Sequence, residues 1–166
     1  MTPAEPTVVA PEAVFEAALI EAVRGMLAES GHASLCVPRF GLDLALFIES
    51  PGGVRVRLVE VKVYIAQRQG GVGFGNQRGE GPQVELLSCT GASAQLLRST
   101  VRWVLADATL PPGTARYALF DCATAKAAAM GVVERGKQNN LRVRSLQPLY
   151  ATWADLLSKV REFLLE

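Results

Sequence analysis

Apolar residues at Val14, Phe15, Ala18, Leu19, Ala22, Val23, Met26 and Leu27 recur with helical spacing between Pro11, which a first helical turn tolerates, and Gly31. This predicts a first helix. A short extended piece at Leu35 to Val37 follows, then runs from Leu42 to Ile48 and Val54 to Tyr64, with Ser50-Pro51-Gly52-Gly53 between the last two. Those two runs read as a β-hairpin. Residues 65 to 82 are rich in glycine, glutamine and asparagine, with Arg68 and Arg78 among them, and read as a long mobile loop. Beyond it the pattern predicts a short strand at Val84 to Leu87 and a helix from Ser93 to Ala106. On that helix Leu97, Val101 and Val104 point inward while Gln95, Arg98 and Arg102 share a polar face. Arg116 to Cys122 reads as a strand, Thr124 to Met130 as a short helix, and Leu141 to Leu146, with alternating arginines, as a half-exposed strand. Thr152 and Asp155 resemble a capping box for a last helix bearing Trp153, Leu156, Leu157, Val160, Phe163 and Leu164. The expected class is α/β or α+β, a mixed sheet flanked by helices, with residues 1 to 10 as a flexible segment and 11 to 166 as one domain.

Composition narrows the chemistry. The chain has 166 residues, 49% of them hydrophobic and 20% charged, which suits one globular domain and excludes a disordered chain. No apolar run reaches the roughly 18 residues needed to span a bilayer, so a membrane is not expected. Seventeen basic groups against 16 acidic ones leave a net charge of +1, so any phosphate-binding surface must be local. Cys36, Cys89 and Cys122, an odd number without metal spacing, suit a reducing, cytoplasmic setting and read as packing residues. His32 is the single histidine, which argues against histidine-metal and Ser-His-Asp chemistry. Gly131 to Lys137 has the spacing of a phosphate-binding loop, but Gln138 replaces the Ser/Thr and a strand follows, so that reading is rejected.

One strand breaks its own pattern. Val54, Val56, Leu58, Glu60, Lys62 and Tyr64 share a face, because strand side chains alternate. Glu60 and Lys62 therefore interrupt an apolar face, at a desolvation cost expected only where they are paired or liganded. If the hairpin closes around Pro51-Gly52, Asp43 lies directly opposite Glu60, with Cβ atoms ~5 Å apart. Two carboxylates so placed repel unless a cation lies between them. Two hard oxygen ligands beside a lysine make the minimal site for a magnesium ion that holds a phosphodiester oxygen and lowers the pKa of a bound water.

Asp43 followed by Glu60-Val61-Lys62 on the next strand, after a helix bearing glutamates and before a helix and a further strand, resembles the PD-(D/E)XK superfamily of restriction-endonuclease-like nucleases. The resemblance covers roughly residues 11 to 122 and implies an αβββαβ core with a small C-terminal strand-helix extension. It implies a Mg2+- or Mn2+-dependent deoxyribonuclease in which Asp43 and Glu60 bind the metal, Lys62 assists attack, and a first-helix glutamate completes the site. That glutamate is Glu16 or Glu21. Glu16 is preferred because it lies within the apolar arc of the helix. Leu42 stands where the family's pattern has proline, and the separation of Asp43 from Glu60 is long. Arg68, Arg78, Gln95 and Arg98 are the expected DNA contacts, and a homodimer would suit double-strand cutting. The alternative is a catalytically inactive scaffold or interaction module of the same fold.

Overall fold

The computed structural model describes residues 1–38, 41–66 and 70–166. Helix α1 (Glu12–Ser30) follows Pro11 and is closed by Gly31 in the left-handed conformation, φ 71°, which a residue without Cβ adopts freely. Strands β1 (Ser34–Pro38), β2 (Leu44–Ser50) and β3 (Gly53–Tyr64) form an antiparallel meander. Ser50 faces Gly53 and Leu44 faces Val59, the register that closure around Pro51-Gly52 predicts.

The chain then forms a short strand, β4 (Gly71–Phe74), and two helices, α2 (Pro82–Ser88) and α3 (Ala92–Ser99). These supply the crossover that lets β5 (Val101–Asp107) pair parallel to β3. Strand β6 (Tyr117–Phe120) runs antiparallel to β5, giving a five-stranded mixed sheet of order β1-β2-β3-β5-β6. Helix α4 (Cys122–Ala128) is capped by Asp121, whose side chain accepts the Thr124 amide. Strand β7 (Asn139–Arg142) pairs with β4 in a second, two-stranded sheet. Helices α5 (Val143–Leu146) and α6 (Trp153–Leu165) follow, the latter capped by Thr152 and Asp155 as expected. The protein is a mixed α/β fold with helices on the faces of its sheet.

Two apolar layers hold the sheet. Val59, Val61, Val104 and Ala106 pack with α1 and α6 on one face, whereas Val101, Trp103, Leu105 and Phe120 pack with α2, α4 and the small sheet on the other. Residues 1 to 10 run along the β6 and α6 side: Val9 is buried, Pro3 O accepts the Trp153 indole N–H, and Glu5 reaches Arg116 and the Tyr117 hydroxyl. Among the described residues, no helix is long and apolar enough to cross a membrane.

Five expectations need correction. The segment from 65 to 82 is not a loop throughout, because Val72 and Phe74 are buried and β4 pairs with β7. Val84 to Leu87 is helical: Pro82 begins the helix, and Val84 and Leu87, one turn apart, are buried together. The helix expected over Ser93 to Ala106 ends at Ser99, and Val101 onward is a central strand buried on both faces. Such a strand reads as a continuous apolar run that periodicity alone does not separate from a helix. Arg102 therefore shares no helix face with Gln95 and Arg98; its guanidinium lies 4.6 Å from the centre of the Phe163 ring. Finally, only Arg142 of the half-exposed strand's arginines is in a strand, since Val143–Leu146 turns helical, and Cys89 is exposed rather than packed.

Candidate active site

Strand β3 outruns β2. Its pairing to β2 stops at Val59, while its pairing to β5 continues to Tyr64. Leu58 N donates to Thr100 O and Tyr64 O accepts from Ala108 N, so even-numbered backbone groups face β5. The alternate amides of Val61 and Val63 face the side that β2 has left. Unpaired backbone donors need partners, and two carboxylates supply them. Asp43 Oδ2 accepts Val61 N at 2.6 Å, and Glu12 Oε2 accepts Val63 N at 3.3 Å.

Glu60 and Lys62 point to the face that carries Trp103 and Leu105, their neighbours on β5. Glu60 has 0% exposure and Lys62 8%. Lys62 Nζ lies 2.7 Å from Glu60 Oε1 and 3.7 Å from Glu12 Oε1. Gln83, on α2, donates to the same Glu60 Oε1 at 2.8 Å. Glu60 Oε2 is buried and has no hydrogen-bond partner among the described residues. Burial pushes the Glu60 carboxyl up to about 7; Lys62 opposes the rise and Asp43 adds to it. Glu12 is raised in the same way, by burial first. Burial works against the Lys62 ammonium, but Glu60 and then Glu12 outweigh it and hold its pKa above the ordinary value.

The structure thus brings Asp43, Glu60 and Lys62 to one place on β2 and β3, with Asp43 entering the strand at the position preceding the Leu44–Val59 pair. On the first helix Glu12 meets Lys62. Glu16, half-buried, lies one turn further along α1. Glu21 is on an exposed surface, paired with Arg24 at 3.1 Å. Of the expected DNA contacts, Arg78 and Gln95 are exposed. Arg98 is turned inward, its guanidinium bonded to the carbonyls of Leu86 and Cys89, where it ties α3 to α2. Arg68 lies outside the described residues.

No protein family matches the chain, and no curated protein or solved structure does either.

Glu12 and Gln83 escaped the sequence reading. Glu12 was legible as an acid in the first turn after Pro11, one turn before Glu16. Gln83 had one signal, Pro82 at a helix start, and the strand reading of Val84 to Leu87 obscured it. Among the described residues no group of three His, Cys, Asp or Glu side chains is placed to hold a metal ion. Glu60 and Asp43 offer hard carboxylate oxygens. That suits Mg2+, which binds through one or two carboxylates and fills its remaining positions with water and phosphate oxygens. Glu60 Oε2, a buried acceptor without a donor among the described residues, is the atom such a cation would satisfy.

Proposed function

We propose that this protein is a metal-dependent nuclease of the PD-(D/E)XK type that hydrolyses DNA phosphodiester bonds. The observation that carries this reading is Glu60: fully buried, raised in pKa, bonded at one oxygen to Lys62 and, among the described residues, unpartnered at the other. Keeping a carboxylate half-satisfied inside an apolar layer costs stability, and such costs persist at functional sites. The order of helix α1, three antiparallel strands, crossover helices and a strand parallel to β3 supports the same reading, with β4 added between β3 and those helices to the αβββαβ order the resemblance implies.

Glu60 and Asp43 would hold Mg2+ or Mn2+, which when bound lowers the pKa of a water and neutralises charge on the phosphate. Lys62 would orient the attacking water or stabilise charge developing at phosphorus. Its ammonium is kept charged by Glu60 and Glu12, so it offers three N–H donors and no acceptor. Glu12 holds Lys62 from the helix side, whereas Glu16 is the first-helix glutamate the sequence offers as a further carboxylate of the site. Arg78 and Gln95, both exposed, remain available to phosphates.

A catalytically silent module of this fold is the second reading. It is favoured by the backbone capping of Asp43 and Glu12, which gives both acids a structural purpose. Nicking of supercoiled plasmid in Mg2+ or Mn2+ separates the two. The nuclease reading expects cleavage by the wild type, abolished by EDTA and by Lys62→Ala. Absence of cleavage in either metal, or cleavage that survives Lys62→Ala, contradicts it.

A further inference from the structure

We propose that Gln83 is a positioning residue that turns the Glu60 carboxylate so that Oε2 faces the cation, an inference that rests on the nuclease reading above. A carboxylate has two oxygens and about four acceptor sites, and the terminal torsion of a glutamate is broad. The side chain alone does not decide which oxygen points where. Here both donors converge on one atom: Oε1 receives Lys62 Nζ at 2.7 Å and Gln83 Nε2 at 2.8 Å, while Oε2 receives none among the described residues.

The two donors are not equivalent. Lys62 is a flexible ammonium shared with Glu12, and in the proposed reaction it must turn toward water and phosphate. Gln83 is uncharged and is delivered by a fixed element. Pro82 begins α2, Val84 and Leu87 on the following turn have 0% exposure, and Glu85 is bonded through both its oxygens to Arg135. A neutral amide at this position does not compete with a cation for the carboxylate's charge. It keeps Oε1 occupied after Lys62 leaves, and so keeps Oε2 as the oxygen presented. Gln83 thereby couples α2 to the strand that carries Glu60 and Lys62.

The test uses the full chain and Gln83→Met, which keeps length and apolar bulk but has no donor, with Gln83→Ala as the second variant. Gln83 is half-buried near the start of α2, so both variants are expected to fold, which circular dichroism in EDTA checks. Free Mn2+ is counted by electron paramagnetic resonance during titration without DNA, and KM and kcat are measured separately on a linear DNA. Loss of a ligand's supporting partner typically weakens metal affinity or activity by about 10- to 100-fold. Both variants should bind Mn2+ at least about tenfold more weakly than wild type, with lower kcat at fixed Mn2+ and unchanged KM for DNA. Wild-type Mn2+ affinity in both variants, beside a wild type that binds and cleaves, overturns the role of Gln83 alone. A rise in KM without loss of Mn2+ affinity would make Gln83 a substrate contact and overturns it equally. A wild type that neither binds Mn2+ nor cleaves overturns the nuclease reading itself.

Discussion

Asp43 Oδ2 accepts the amide of Val61 at 2.6 Å and so completes the edge of β3 where β2 has ended. The same carboxylate adds to the raised pKa of Glu60, which places its charge close to a buried neighbour of like sign. One side chain thus satisfies the backbone and adds to the shift that burial causes at Glu60. Its two roles separate by substitution. Asp43→Asn keeps an oxygen acceptor for Val61 while removing the charge, so its melting temperature in EDTA should equal or exceed that of wild type. Asp43→Ala leaves the amide without its acceptor and should cost about 1–3 kcal/mol. Neither variant should show the stabilisation by millimolar Mn2+ that the nuclease reading expects of the wild type through binding to the native state. Thermal melts of the three proteins with and without metal check this, and an unchanged metal response in Asp43→Asn would remove Asp43 from the metal site.

The raised pKa of Glu60 has a consequence for pH. Its carboxyl titrates near the ordinary carboxylate range when unfolded and at about 7 when folded, so the folded state binds more protons between those values. Stability in EDTA should therefore fall as pH rises from 5 to 8, by an amount on the order of 1–3 kcal/mol. Glu12, shifted in the same direction, adds to the trend. Urea unfolding across this range should show the fall in wild type and a flatter profile in Glu60→Gln.

Lys62 supplies the positive charge at Glu60 Oε1. Lys62→Met should abolish cleavage and destabilise the metal-free protein at pH 8 by about 3 kcal/mol, because a buried carboxylate loses its charged partner. The same variant should bind Mn2+ at least as tightly as wild type, since a competing positive charge is gone, and Mn2+ should restore much of the lost stability. Calorimetric titration with Mn2+ reads this directly, and weaker binding would show that Lys62 supports the cation rather than competing with it.

The glutamates of α1 can be ranked by experiment. Glu12→Gln removes a carboxylate that meets Lys62 from that helix and should lower kcat by about 10-fold or more. Glu21→Gln changes only an exposed pair with Arg24 and should leave the rate unchanged. Glu16→Gln tests the assignment made from helix periodicity: a loss larger than that of Glu12→Gln would return the role to Glu16.

Beside the start of β6, Arg116 is 2% exposed and is met by Glu5, by the Tyr117 hydroxyl and by the carbonyls of Pro6 and Leu110. Glu5→Ala would leave this buried guanidinium without its carboxylate and should cost about 2–4 kcal/mol in urea unfolding. The plasmid-nicking rate at 25 °C should not change. A loss of activity in a variant that remains folded would connect the N-terminal segment to the site.

The sequence by itself determined the elements whose cause is local. Pro11 and Gly31 bound α1, Thr152 and Asp155 cap α6, and Pro51-Gly52 sets the register that brings Asp43 to the end of β3 beside Glu60. The interruption of an apolar strand face by Glu60 and Lys62 was also legible, because alternation is a property of the strand alone. Only the tertiary structure decided what depends on neighbours distant in the chain. Val101–Asp107 is a strand because it lies between β3 and β6 with both faces covered, and no pattern within the segment separates that from a buried helix. Gly71–Phe74 is a strand because β7, some 70 residues later, supplies its partner. Glu12 reaches Lys62, and Gln83 reaches Glu60, because α1 and α2 approach the same end of β3 from different elements, a juxtaposition fixed by packing on the sheet rather than by spacing along the chain.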